Sequence, residues 1–103
     1  MNLDLDGKVA MVTGGGRGIG RAIAAELACG LGARVAVLDR DYEHAVEVAE
    51  EIECGATGFR VDVIDPAAIE ACVEAVERDM GPIEVLVNNA GVTRDNLDGD
   101  SRV

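Results

Sequence analysis

Residues 13–20 read Thr-Gly-Gly-Gly-Arg-Gly-Ile-Gly, and this glycine-rich stretch decides how the chain around it folds. The residues before it, Val9–Thr13, form a short apolar run that is typical of a buried strand. After it, Ile19, Ile23 and Leu27 recur every fourth residue, which predicts one face of a helix. Glycine has no Cβ, so the backbone can turn sharply between the two elements. We therefore predict a strand, a tight turn and a helix in immediate succession.

The same alternation continues along the chain. Asp65 suits the N-cap of a later helix, and Pro66 suits its first turn because proline has no N–H to leave unpaired. Apolar runs predict the remaining strands at residues 35–38, 57–63 and 83–87, with helices between them. The order β-α-β-α-β-α-β predicts an α/β fold, a Rossmann-type doubly wound parallel sheet with strand order 3-2-1-4.

Two parts can be distinguished by pattern. Residues 1–91 contain the alternating strands and helices and form the predicted Rossmann-type half-domain. Residues 92–103 show neither a helical nor a strand period, so they are expected to be an irregular tail. The fourth strand lies at one edge of the predicted sheet, and an open edge is a template for pairing with another chain. We expect the first two helices on one face, the third on the other, and self-association through the exposed fourth strand.

The glycine-rich stretch also predicts a binding site. Gly14, Gly18 and Gly20 would let the backbone approach a pyrophosphate closely, and the following helix offers it free N–H groups. Asp39 closes the second strand about 20 residues later, where a carboxylate can accept hydrogen bonds from ribose hydroxyls. Each feature has an alternative: the glycines could form a turn that serves only packing, and Asp39 could be an exposed helix cap. The strand, the glycine turn, the helix, the second strand and Asp39 together favour dinucleotide binding. A P-loop is excluded, because it would need Gly-Lys-Ser/Thr after the glycines.

Three motifs in this order resemble those of the short-chain dehydrogenases/reductases. They are Thr-Gly-x-x-x-Gly-Ile-Gly at 13–20, Asp62-Val63, and Asn-Asn-Ala-Gly at 88–91. Within that family, residues 89–97 look most like the 3-oxoacyl-[acyl-carrier-protein] reductases, and the acetoacetyl-CoA reductases are close neighbours. The resemblance implies an NAD(P)-dependent oxidoreductase that acts on CH–OH groups.

The resemblance also implies which residues hold the cofactor. Residues 14–17 would wrap the pyrophosphate and the adenosine side, and the next two would lie under the phosphates and the nicotinamide half. Asp62 and Val63 would contact the adenine and Asn89 would lie beside the cofactor, whereas Asn88 is expected to be structural. The candidate cofactor-binding residues are Gly14, Gly15, Gly16, Arg17, Gly18, Ile19, Asp39, Asp62, Val63 and Asn89.

The choice between NAD and NADP stays open at this point. Asp39 would repel a 2′-phosphate at short range, which favours NAD. Arg17 and Arg40, however, stand where basic residues of such proteins can hold that phosphate. We expect NAD, with NADP as the alternative.

No candidate catalytic residue is found. The family's chemistry needs a Ser and a Tyr-x-x-x-Lys pair, in which Tyr is the acid and Lys lowers its pKa. The only Lys, Ser and Tyr are Lys8, Ser101 and Tyr42, and none has that spacing. After Leu97 the sequence also leaves the family pattern, as a truncated or frameshifted gene or a deliberately shortened chain would. We expect the cofactor-binding half of an oxidoreductase that is inactive alone.

Two other functions are alternatives for this sequence. One is a catalytically silent dinucleotide-binding or interaction module that complements another chain. The other is an S-adenosylmethionine methyltransferase, which also pairs a glycine loop with an acid at strand two. The Asn-Asn-Ala-Gly segment and the spacing of the glycines disfavour the methyltransferase.

Composition excludes several classes of partner. A net charge of −11 opposes nucleic-acid binding, and no apolar run is long enough to cross a membrane. The acidic N-terminus lacks the features of a signal peptide, so a cytoplasmic location is expected. Cys29, Cys54 and Cys72 are expected to be reduced, buried thiols. His44 is expected on the surface, and no spacing suggests a metal site.

Overall fold

The computed structural model describes residues 5–89, so the predicted tail at 92–103, with Ala90 and Gly91, lies outside the described residues. Within residues 5–89, four strands alternate with three helices, and the first helix continues into a π-helical turn at Glu26–Gly30. The strands are β1 (Val9–Thr13), β2 (Arg34–Asp39), β3 (Ala56–Arg60) and β4 (Ile83–Asn88), and the helices are α1 (Gly18–Ala25), α2 (Tyr42–Ile52) and α3 (Pro66–Met80).

All four strands are parallel and lie in the order β3-β2-β1-β4, which confirms the predicted topology. In the centre of the sheet, Val12 of β1 is aligned with Val37 of β2 and with Val87 of β4. Every residue of β1 is buried, as expected for a central strand covered on both faces. The carboxyl ends of the strands therefore meet at one edge of the sheet.

Two apolar clusters fill the space between the sheet and its helices. On one face, Val12, Val35 and Val37 pack with residues of α1 and α2, such as Ala24 and Val48. The other face packs against α3, through the residues Met11, Ala36, Leu38, Cys72, Val76 and Met80. The predicted division of the helices between the two faces is confirmed.

The third strand is shorter than predicted, because it ends at Arg60 instead of Val63. The N–H of Val61 still donates to the carbonyl of Asp39, at 3.1 Å. The chain then turns, since the Asp62 side chain accepts from Ile64 N–H and its carbonyl accepts from Asp65 N–H, at 3.2 and 3.1 Å. Val61 and Val63 remain packed on the α3 side of the sheet, so the apolar run extends beyond the end of the strand.

The apolar stripe predicted on the first helix is wrong at its first member. Ile19 is 73% exposed, whereas Ile23 is half-buried and Leu27 packs on the core. The physical reason is the neighbouring Gly20, which occupies the side of the helix that faces the preceding turn. Ile19 consequently points away from the sheet.

The expectation of three buried thiols is wrong for two of the cysteines. Cys29 and Cys54 are both exposed and form a disulfide bond, with their Cα atoms 5.2 Å apart. Because the two cysteines are 25 residues apart, the sequence alone does not predict their pairing. Cys29 lies in the π-helical turn before β2, and Cys54 lies just before β3, so the parallel sheet brings both to its amino-terminal edge. Cys72 is a buried free cysteine, as predicted.

Candidate active site: a cavity at the carboxyl edge of the sheet

A cavity of about 650 Å³ lies at the carboxyl edge of the sheet. It is bounded by the segment after β1, by the end of β2, by the turn after β3 and by the end of β4. The lining residues are Gly14, Arg17, Leu38, Asp39, Arg40, Asp41, Val61, Asp62, Val63, Ile64 and Asn89.

The glycine turn, residues 14–17, connects β1 to α1. Gly14 has φ +65° and Gly18, which opens α1, has φ +47°, a region that favours glycine. The N–H of Gly15 donates to the carbonyl of Leu38 at 3.1 Å, which ties the turn to β2. A Cβ on Gly20 would collide with the Gly14 carbonyl oxygen and would lie 2.7 Å from Asn89 Nδ2. The first turn of α1 can therefore lie against both β1 and β4 only with glycine at this position.

Asp39 is the most buried charged side chain at this edge, with 6% of its surface exposed. Its Oδ1 accepts the N–H of Asp41 at 3.0 Å, and its Oδ2 lies 3.4 Å from Nε of Arg17. A Cβ on Gly16 would lie 2.6 Å from Oδ2, so the carboxylate rests directly on the glycine turn. The alternative that Asp39 is an exposed helix cap is wrong, because Asp41 caps α2 by accepting the N–H of His44.

An apolar wall lies beside this carboxylate. Val61, Val63 and Leu38 contribute to it, and Ile64 is 82% exposed at the same cavity. Asp62 shares the wall but turns its Oδ1 toward the N–H of Ile64. The cavity thus combines a surface on which a flat apolar ring can pack with a carboxylate that can accept hydrogen bonds from hydroxyls.

The two asparagines at the carboxyl end of the fourth strand have different positions, since Asn88 is its last residue and Asn89 follows it. Asn88 pairs with β1, since its Oδ1 lies 3.1 Å from the Thr13 hydroxyl, which is also 3.3 Å from the Val87 carbonyl. This contact gives Asn88 the structural role expected of it. Asn89 lines the cavity and lies against Gly20.

The structure thus brings six of the ten candidate residues together around the cavity: Gly14, Arg17, Asp39, Asp62, Val63 and Asn89. The other four lie beside it. Gly15 and Gly16 are buried in the turn, whereas Gly18 and Ile19 are exposed at the start of α1. Sequence reasoning missed Leu38, Asp41, Val61 and Ile64. The apolar residues on both sides of Asp62 were the available signal.

Of the residues that resemble catalytic types, the two that the structure describes, Lys8 and Tyr42, do not line this cavity. Lys8 precedes β1 and its Nζ lies 3.7 Å from a carboxylate oxygen of Glu84. Tyr42 is the first residue of α2 and is 53% exposed, and Ser101 lies outside the described residues. Between residues 5 and 89 there is no group of three or more His, Cys, Asp or Glu side chains that could hold a metal ion. No helix in that range is long and apolar enough to cross a membrane.

His44 is less exposed than expected of a surface histidine. Its side chain is 32% exposed. The ring Nε2 lies 2.6 Å from the carbonyl oxygen of Gly16, in the glycine turn. The only histidine of the chain therefore contacts the site that the glycines form.

Comparisons with known proteins agree with this geometry. The sequence pattern of the short chain dehydrogenase family matches residues 8–101. The 3-oxoacyl-[acyl-carrier-protein] reductase FabG of Escherichia coli K12 is 42% identical over 95 residues, which are 92% of this chain and 38% of the reductase. D-threitol dehydrogenase of Mycolicibacterium smegmatis is 47% identical over 93 residues, 87% of this chain and 35% of that enzyme.

A solved structure shows the same architecture. The 3-ketoacyl-(acyl-carrier-protein) reductase of Brucella melitensis, crystallised with NADH, superposes with a TM-score of 0.74 at 40% identity. The match covers 80% of this chain and 33% of that one. The present chain thus spans less than half the length of these relatives. The matched pattern, the sequence identity and the parallel 3-2-1-4 sheet together show that the chain belongs to the short-chain dehydrogenase/reductase family.

Proposed function

We propose that this chain is the NAD(H)-binding part of an oxidoreductase that transfers hydride to a 3-oxoacyl thioester. The observation that carries the proposal is the buried Asp39 carboxylate, held against the glycine turn at the mouth of the cavity. Bound NADH supplies the hydride in such chemistry. The residues of this chain bind and orient the dinucleotide.

The cavity and the glycine turn offer matching partners for the adenine, the adenosine ribose and the pyrophosphate of a dinucleotide. Val63 and Ile64 present apolar surface for the adenine, and Asp62 lies beside them. Asp39 can accept hydrogen bonds from the ribose hydroxyls. The glycine turn leaves room for a pyrophosphate at the N-terminus of α1, where free N–H groups and the helix dipole favour negative charge. Gly15 and Gly16 are proposed to act through this turn, and Gly18 and Ile19 through the first turn of α1.

Two observations support NAD over NADP. A 2′-phosphate would come close to Asp39, and two like charges 4 Å apart near a protein surface repel by about 4 kcal/mol. The positive charge of Arg17 is already offset by Asp39, whose Oδ2 lies 3.4 Å from its Nε. This pairing weakens the attraction that Arg17 would exert on a 2′-phosphate. Arg40 is exposed and is the remaining cation at the cavity.

The substrate class rests on the relatives. Several of those with more than 40% identity are 3-oxoacyl-[acyl-carrier-protein] reductases, and D-threitol dehydrogenase is similarly close. We favour a 3-oxoacyl thioester as the substrate. The 103 residues contain no Tyr-x-x-x-Lys pair, so the proposal assigns them cofactor binding and no turnover of their own.

Titration calorimetry with NADH and with NADPH tests the proposal. The 103-residue chain is expected to bind NADH weakly and NADPH more weakly still. Asp39→Asn keeps the size of the side chain but removes its charge, so it should narrow the preference for NADH, and Asp39→Ala should do the same. Asp79→Asn, on the exposed end of α3, is the matched control and should leave both affinities unchanged. An absence of heat with either cofactor at millimolar concentration would refute the proposal.

A further inference from the structure

His44 connects the second helix to the glycine turn. It lies in the first turn of α2, where its N–H donates to the Oδ1 of the N-cap Asp41 at 3.3 Å. From this fixed backbone position the ring reaches across to Gly16, whose carbonyl oxygen lies 2.6 Å from Nε2. A Cβ on Gly16 would lie 2.9 Å from the ring's Cδ2, so the ring is in close contact with the turn.

The direction of this hydrogen bond follows from chemistry. A backbone carbonyl oxygen only accepts hydrogen bonds, so Nε2 must carry the hydrogen. The other ring nitrogen, Nδ1, lies 3.7 Å from a carboxylate oxygen of Glu47. Both the neutral ring with hydrogen on Nε2 and the protonated ring satisfy the contact to Gly16. The contact is therefore a constant feature of the site.

The carbonyl of Gly16 and the N–H of Arg17 belong to one planar peptide unit and point in opposite directions. At the N–H end, Arg17 N lies 3.4 Å from the carbonyl oxygen of Gly14. At the carbonyl end, His44 donates its ring hydrogen. This peptide unit is thus held at both ends, in a glycine-rich segment whose backbone otherwise has unusual freedom.

The orientation of this peptide unit affects both sides of the site. Arg17 is the N-cap of α1, so the unit sets where the free N–H groups of that helix begin. Arg17 also pairs with Asp39, and a Cβ on Gly16 would contact the same carboxylate. If this peptide unit rotated, the glycine turn, at which the pyrophosphate is proposed to bind, and Arg17 would move together.

We propose that His44 is a positioning residue for the dinucleotide: through Gly16 it holds the glycine turn in the shape that receives the pyrophosphate and keeps Arg17 beside Asp39. This inference rests on the NAD(H) binding proposed above. It adds a residue of α2 that does not line the cavity.

Two substitutions that introduce the same amide group on side chains of different length test this role. The amide nitrogen of Gln can take the place of Nε2, whereas the shorter Asn places its amide near Nδ1 and does not reach Gly16. In NADH titrations of the full chain, His44→Asn should weaken binding about three- to tenfold, as expected for loss of one hydrogen bond. His44→Gln should stay within about twofold of the original chain. His44→Met is the matched control for size, because Met is close to Gln in volume but has no hydrogen-bond donor. It should bind NADH as weakly as His44→Asn, whereas a ring that only fills space would be replaced by Met as well as by Gln.

A second measurement needs no cofactor. The Arg17 amide hydrogen should exchange with solvent faster in His44→Asn than in the original chain, and at the original rate in His44→Gln. Equal affinities and equal exchange rates in all three proteins would overturn the inference, as would a Gln variant that behaves like the Asn variant. If the original chain binds no NADH, the proposed function fails, and the exchange rates still decide whether His44 holds the turn.

Discussion

Gly20 lies between the glycine turn and the end of β4, and no larger residue fits there. Its added Cβ would overlap the Gly14 carbonyl oxygen, which is backbone and cannot rotate away. Gly14 and Gly20 are predictable from the sequence, because a strand followed directly by a helix needs such a turn. The contact with Asn89 was not predictable, since it depends on how closely β4 approaches α1.

Gly20→Ala should therefore displace the turn. We expect the free energy of unfolding to fall by about 1–3 kcal/mol, as for other cases of overpacking. NADH affinity should fall with it. Urea unfolding followed by circular dichroism measures the stability. Gly30→Ala is the matched control, because its Cβ would meet only the flexible end of the Glu26 side chain, and a change within about 0.5 kcal/mol is expected. Equal effects of the two substitutions would contradict the account of Gly20.

Elements were predictable where local chemistry decides them. The third helix begins at Pro66 after the cap Asp65, and its end before Gly81 also follows from residue types. The third strand was overestimated because its apolar run continues into a turn that still packs on the core. The disulfide was missed because its cysteines are brought together only by the topology of the sheet, which places the residues before β2 and β3 at one edge.

The disulfide should stabilise the segment that contains β2 and α2. Closing a loop of 25 residues restricts the unfolded chain, and a bond of this kind contributes about 2–4 kcal/mol. Reduction should lower the midpoint of thermal unfolding, and the double variant Cys29→Ser/Cys54→Ser should match the reduced protein. An unchanged midpoint after complete reduction would contradict this expectation.

Thiol counting with Ellman's reagent checks the same pairing. Cys72 is buried, and burial raises the pKa of its thiol, so the native protein should react slowly. The unfolded chain should show one thiol before reduction and three after it. Three thiols without reduction would restore the expectation of free cysteines.

At the scale of the molecule, the described residues cover the two faces of the sheet unequally. Between residues 5 and 89, two helices pack on one face and α3 alone packs on the other. On the α3 side, Leu86 of β4 is 60% exposed and borders an apolar hollow of about 220 Å³. Among the described residues, β4 pairs with β1 on one side and with no strand on the other.

The 103-residue chain is therefore expected to self-associate through β4 and the face around Leu86, or to be only partly folded. Light scattering during size-exclusion chromatography at tens of micromolar should show a dimer or a larger species. Leu86→Lys should shift the population toward monomer, because a charge on this surface opposes its burial. A stable monomer that unfolds cooperatively would contradict this expectation.

The edge formed by the glycine turn, Asp39 and the turn after β3 is expected to bind NAD(H). The most direct test is to record the backbone amide resonances of the ¹⁵N-labelled chain during titration with NADH. We predict saturable shifts concentrated at residues 14–18, 39–41 and 61–64, with little change around the disulfide at the opposite edge. Shifts confined to other surfaces, or no shifts at millimolar NADH, would contradict the account.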